Sequence, residues 1–432
     1  MDKKSVEWLY RELPKLVDEG IIPAESAERI KEYYGSGSTK TGSRTFLVIF
    51  GVIGALLVGL GIILILAHNW PQLTKLYRLS ISMGFLVAAQ IAAGSVLWFK
   101  KDSIPWREAT ATILMLMVGS AMALVGQTYH LIEDTDAFLL TWMLLSVPLV
   151  YLMNSASVAV LYSIGITVWA FSSYFDSGKQ IIWVLFSLIV PYYWGLLKNH
   201  RYTNTTVVFS WVILICFYFC FGTAFARYLD HLSILIYGSL FTLTYIAAGL
   251  WFSGHHQGWP MPFKAIGLAG SVGLTFLLTF NDVWRHITID KGTVPFAAYL
   301  LALGLVVAVV GGSLMLKKRK SQGIWQFSFI PCVMGFGYIL RFFDVSGIGA
   351  TVIMNGYMLW LSVSVIAVGV REQRIGVVNL GMLMIAVLIV ARFFDIDLSF
   401  IVRGVAFVLV GIGFLVANVI LVRRKAGWRN DK

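Results

Sequence analysis

Side chains able to bind, donate or relay a proton are sparse in this chain and collect at a few places. His68, Asn69 and Trp70 close one apolar run as AHNW, and Gln127, Tyr129 and His130 close another as GQTYH. A neutral histidine can act as ligand, proton relay or plain hydrogen-bond partner. Polar groups at membrane depth are expensive, so each needs a reason. Two reasons compete here: a ligand pocket, or a hydrogen-bonded cap between helices closed by Trp70 and Pro71. Two histidines with no third ligand do not make a metal site. Cys216, Cys220 and Cys332 lie within apolar runs, where packing is their expected role. No metal and no cofactor is expected.

A second pattern is Arg-aromatic-apolar-Asp. Arg227 and Asp230 stand in ARYLD, Arg341 and Asp344 in LRFFD, and Arg392 and Asp395 in ARFFD. RFFD occurs twice, and basic runs at Arg371 and Arg423 follow at nearly the same offset. That points to a repeated helical hairpin. Residues three apart share a helix face, so each Arg and Asp can pair. One reading is an aromatic belt with a neutralised, snorkelling arginine. The other has Arg227, Arg341 and Arg392 pointing inward to line a pocket for an anionic ligand.

The elements that position these groups follow from composition. Of 432 residues, 58% are hydrophobic and 13% charged, about half the usual charged share, and mean hydropathy is +0.78. The chain reads as an all-α, polytopic transmembrane helix bundle in contact with the lipid bilayer. The net charge of +12 then reports helix-end lysines and arginines, not a nucleic-acid partner. Apolar runs long enough to span fall at 46–67, 77–99, 109–130, 137–153, 155–175, 179–197, 204–226, 232–252, 263–280, 294–316, 323–340, 348–370, 375–394 and 400–422. The least marked boundary is Asn154, where no charge separates two runs. With the N-terminus inside, nineteen Lys and Arg outside the first 35 residues face inward and nine outward. This predicts cytoplasmic termini and an even helix count of about fourteen. Most acidic residues fall on the opposite, outer side, so a functional pocket is expected there. A proton-coupled carrier would want an acid near the middle of a span, and none is read there.

Ahead of the spans, residues 1–35 read as a soluble, cytoplasmic helical hairpin. Trp8, Leu9, Leu13, Leu16 and Val17 give a helical face, Gly20 a stop and Pro23 a restart. Residues 36–45 continue the Gly/Ser-rich stretch Gly35–Ser43 and read as a flexible linker. The transmembrane domain covers 46–425, and 426–432 form a basic cytoplasmic tail. With no cleavable signal in view, the first run should act as an uncleaved anchor. Gly51, Ala55 and Gly59 form a small-residue packing stripe. Gln90, Asn355, Asn379 and Asn418 are lone amides expected to bond between helices.

The hairpin Leu16–Pro23 with Glu28–Tyr34, the Gly-rich first span ending AHNW, and then GQTYH resemble the family catalogued as domain of unknown function 2157, over about residues 8–150. The later helices with RFFD and the basic tail are similar to the C-terminal parts of such proteins. The resemblance implies a multi-pass bacterial membrane protein and brings no substrate or reaction. The hairpin is also similar to SHOCT-type hairpins, which implies self-association or a protein partner through residues 1–35.

Three functions compete. The first is a transporter or lipid-linked-substrate flippase with an outer polar pocket, its span count similar to that of flippase-superfamily exporters. The pocket would hold an anionic or lipid-linked ligand on His68, Asn69, Trp70, Gln127, Tyr129, His130, Arg227, Asp230, Arg341, Asp344, Arg392 and Asp395. The second is a non-transporting sensor or scaffold acting through the hairpin. The third is an outer-face transferase using His68 or His130. No Walker A, GxSxG or HExxH motif occurs, and the first outer loop, HNWPQLTK, lacks the acid of large membrane glycosyltransferases. A non-enzymatic role is therefore the expectation.

Overall fold

Lipid offers no hydrogen bonds to the backbone, so apolar runs satisfy their own amides as helices. The computed structural model bears this out, and no strand occurs among the described residues. It describes 3–69, 74–129, 134–172, 180–229, 232–251, 262–287, 296–318, 325–344 and 346–395, with a few positions between 404 and 412. The chain divides into two compact units, Met1–Cys216 and Phe217–Lys432.

The first unit holds α1 (Lys3–Asp18), α2 (Ala24–Asn69), α3 (Lys75–Phe99), α4 (Ile104–Tyr129), α5 (Thr135–Leu152), α6 (Ala156–Ser172), α7 (Ile182–Ser187) and α8 (Val190–Asn199). The helix α9 (Asn204–Leu229) crosses the boundary. The second unit continues with α10 (Ser233–Trp251), α11 (Pro262–Leu277), α12 (Asn281–His286), α13 (Phe296–Lys318), α14 (Ile330–Phe343), α15 (Ile348–Arg371) and α16 (Ile375–Asp395).

Helix α1 is followed by Gly20 at a φ of +69°, and Leu13 of α1 and Ala27 of α2 are buried. The stretch read as a flexible linker is helical. Residues 24–69 are one helix, so Gly35–Ser43 is helical. A helix already nucleated on both sides propagates through poor helix formers, and no proline interrupts it.

Among the described residues nine helices are long and apolar enough to cross a membrane, fewer than the fourteen runs. The difference has four sources. Of the run 46–67 on α2, the fully described stretch is the shorter Ile49–Gly61. Helices α6 and α11 are real but short, at 17 and 16 residues. The run 179–197 is broken into α7 and α8 ahead of Pro191, which removes a backbone donor. The Leu185 carbonyl beside this break accepts the Tyr162 hydroxyl at 2.9 Å, and the Leu188 carbonyl accepts that of Tyr151. The last run, 400–422, lies almost wholly outside the described residues. Asn154 does separate two helices, turning the chain with a φ of +45°.

In the first unit α4 packs against α2, α3 and α5, and α6 packs on α5. Of the expected stripe on α2, Ala55 is buried and a Cβ on Gly59 would approach Leu116 to 3.1 Å, while Gly51 meets nothing. Side chains press on Gly119 and Gly165 in the first unit, but among the described glycines the closest approaches to a neighbouring backbone lie in the second unit. A Cβ on Gly267 would come within 2.6 Å of the Tyr245 amide, and one on Gly369 within 2.6 Å of the Val378 amide. These glycines let α11 lie against α10 and α16 against α15.

Candidate functional site

A helix that starts inside a bundle leaves its first N–H groups without partners. In the first unit α6 restarts directly after the Asn154 turn, and Glu108 of α4 answers that need. Its carboxylate, only 5% exposed, accepts the Ser155 hydroxyl at 2.5 Å and the Ala156 and Ser157 amides at 2.9 Å each. A negative charge suits the positive end of a helix dipole, and charge-assisted bonds are strong. Tyr192 of α8 stands within electrostatic reach of Glu108 and Arg107. Glu108 escapes a sequence reading because it sits next to Arg107 and passes for a loop charge. It is the fifth residue of α4, buried at the end of that helix and away from its middle.

The same α4 forms the floor of a groove of about 660 Å³ between α3 and α5. Its walls are apolar, with Met83, Leu86, Leu114, Val118, Leu145 and Leu149 among them. Polar side chains are few and spread along its length: Asp134 at one end, Thr141 further in, Gln90 toward the other. From Asp134 to Leu149 is roughly 22 Å of helix at 1.5 Å per residue, well over half of an about 30 Å hydrocarbon core. Asp134 also caps α5, accepting the Asp136 amide at 2.8 Å. Trp142 fixes α5 on α4 near its middle by donating to the Met115 carbonyl at 2.9 Å.

The second unit presents the opposite problem. Helix α11 ends at Leu277 and the chain turns before α12, leaving carbonyls without helical partners. Donors supply them. The Trp284 indole, fully buried, donates to the Leu278 carbonyl at 2.7 Å. Asn355 of α15 donates to the Thr279 carbonyl at 2.8 Å, as an interhelical amide should. Arg341 of α14 donates through Nε to the Trp284 carbonyl at 2.8 Å and through a terminal nitrogen to the Asp344 carbonyl at 3.4 Å. Arg392 of α16 reaches the Thr279 hydroxyl at 3.3 Å and lies over the Phe280 ring at 4.5 Å.

Arg341 and Arg392 therefore converge on one broken helix, TFND and the turn after it. The expected pairing of Arg341 with the Asp344 carboxylate gives way to main-chain contacts. That carboxylate accepts the Ser346 hydroxyl at 2.6 Å and the Ser346 and Gly349 amides at 2.9 and 3.1 Å. The Ser346 hydroxyl first, then the two amides, hold the Asp344 carboxyl below its ordinary value. Gly347, with a φ of +73°, lets this loop press on α12: a Cβ there would meet Trp284 Cβ at 2.8 Å.

The remaining expected site residues fall as follows. Gln127 and Tyr129 lie on the last turn of α4 and are exposed. His68, Asn69, Arg227 and Asp395 lie on the ends of α2, α9 and α16, with side chains outside the description. Trp70, His130 and Asp230 lie outside the described residues. The expected set divides between the two units: His68 to His130 belong to the first, Arg227 to Asp395 to the second.

An all-helical chain with this many apolar spans is a polytopic integral membrane protein. Residues 14–159 match the family model described as Predicted membrane protein (DUF2157). That stretch contains the hairpin from Pro14 on, the groove, Glu108 and the start of α6. No curated protein and no solved structure matches the chain.

Proposed function

We propose that the protein carries an amphiphilic, lipid-linked substrate in the membrane, as a transporter or flippase does. The groove of the first unit is the observation that supports this reading. Its volume lies in the range of ligand pockets, and its apolar walls suit one long hydrocarbon chain. Asp134, Thr141 and Gln90 space hydrogen-bonding groups along the path of a polar head. A carboxylate at the mouth favours a head group rich in hydroxyl or ammonium donors over an anionic one. The anionic-ligand pocket built on Arg341 and Arg392 has less support, because both guanidinium groups already serve carbonyl, hydroxyl and aromatic partners.

The test is reconstitution in vesicles holding fluorescently tagged glycolipid or phospholipid, with movement between leaflets read by chemical quenching from outside. Val118→Trp fills the groove centre and should slow movement about tenfold or more, equivalent to at least 1.4 kcal/mol. Movement unchanged by Val118→Trp, in a folded protein, would remove the groove from the account.

We place the protein in a bacterial inner membrane, following the family resemblance, with both termini in the cytoplasm, following its Lys and Arg asymmetry. A second reading, a sensor acting through the hairpin, draws support from α2. One helix of about 68 Å joins the hairpin to the first span without a flexible break. Deleting residues 1–23 separates the two: a carrier keeps moving lipid, a sensor loses its output.

A further inference from the structure

Arg341 and Arg392 reach partners in the second unit, whereas the guanidinium of Arg107 in the first unit reaches none. Its Nε is buried, and it makes no ion pair or side-chain hydrogen bond among the described residues. The acid next to it is already committed, because Glu108 accepts from Ser155, Ala156 and Ser157. The helix does not call for a cation there either. Arg107 is the fourth residue of α4, in the first turn, which is the positive end of the dipole. A half-buried guanidinium without an anion is costly. Arg107 therefore points to a negative partner that the chain does not supply.

The surroundings say which anion. Trp98 and Phe99 at the end of α3 and Trp106 beside Arg107 are exposed, and Lys100 lies over the Trp106 ring at 4.1 Å. Exposed tryptophans with a lysine mark the head-group level of a bilayer. At that level the abundant anion is the phosphate of a lipid. Tyr192 of α8 stands within electrostatic reach of Arg107. Its ring meets Tyr151 edge-on with centroids 6.2 Å apart and Phe209 at 6.3 Å. These contacts fix the ring, and its hydroxyl makes no hydrogen bond among the described residues.

We infer that Arg107 and Tyr192 bind the phosphodiester of one membrane phospholipid, which lies in the cytoplasmic leaflet in the orientation proposed above. The guanidinium fork donates to two non-bridging oxygens, and the tyrosine hydroxyl donates a further bond. The same anion suits the positive end of α4. The Glu108 charge does not oppose it strongly, because that carboxylate is already offset by the start of α6. Bound there, the lipid joins α4 to α8. It is distinct from whatever the groove carries, since the residues lining the groove include no Lys or Arg.

The experiment takes the full-length protein, delipidated in an uncharged maltoside detergent, and reads bound lipid and its Kd by native mass spectrometry. The probes are phosphatidylglycerol, diacylglycerol with the same chains, and inorganic phosphate. A single phosphatidylglycerol should bind more tightly than the background of weak adducts. Neither diacylglycerol nor inorganic phosphate at matched concentration should displace it. Arg107→Gln should raise its Kd about tenfold or more, and Tyr192→Phe about three- to fivefold. Lys101→Gln, in the neighbouring exposed turn, should change it by less than about twofold. An equal loss in Lys101→Gln would reduce the effect to surface charge and overturn the site. Displacement by inorganic phosphate would overturn the lipid as the source of the anion. Binding unchanged in Arg107→Gln would overturn the inference outright. Should that variant fail to fold, Tyr192→Phe decides, and parental affinity there overturns it. No lipid movement is measured, so this site and the carrier proposal stand or fall separately.

Discussion

The two units solve the same problem with opposite chemistry. Each contains a helix that breaks off within the bundle. Where α6 begins, the orphaned groups are N–H donors, and a carboxylate from a neighbouring helix accepts them. Where α11 ends, the orphaned groups are carbonyls, and an indole, an amide and two guanidinium groups are placed on or beside them. The sign of the buried charge follows the polarity of the helix end it serves. The second difference concerns place: the α6 junction is the one that shares α4 with the groove.

Variants that break this comparison rank by what they leave unsatisfied. Glu108→Ala strands a hydroxyl and two amides in the first unit and should destabilise by about 3–5 kcal/mol, read as a fall in denaturant midpoint in micelles. Gly347→Ala forces a positive φ on alanine and a clash with Trp284, and should cost about 2–3 kcal/mol by the same readout. Arg341→Met removes the donor to the Trp284 carbonyl, for about 2 kcal/mol. Arg392→Met removes a bond to a hydroxyl and a contact with a ring face and should lose about 1 kcal/mol. Asp344→Asn should have the smallest effect, felt at neutral pH and vanishing on the acid side. Because the folded carboxyl is held below its ordinary value, its contribution is complete above that value and lost as pH falls through the folded one. The variant should therefore flatten the acid limb of the parent's stability curve.

Helix positions were legible in the sequence because hydropathy over about twenty residues reports burial in lipid directly. Asn154 was legible as a boundary for the same reason that it turns the chain: a left-handed residue between two apolar runs. The breaks inside runs were not. The partners that support them lie far away in the chain, as Glu108 does from Ser157 and Arg392 from Thr279. No local pattern marks such pairs. The RFFD repeat was visible, and both of its arginines reach the same broken helix, but their roles differ. One is buried on a carbonyl and the other lies over a ring, and neighbours from other helices decide that.

The central claim, that a buried carboxylate holds the α6 junction and buried donors hold the α11 junction, is tested most directly by amide hydrogen exchange in the parent and in Glu108→Gln. The account predicts that Glu108→Gln lowers protection at Ala156 and Ser157 while protection from Leu278 to Trp284 holds. Parallel loss in both segments, or none in either, would contradict it.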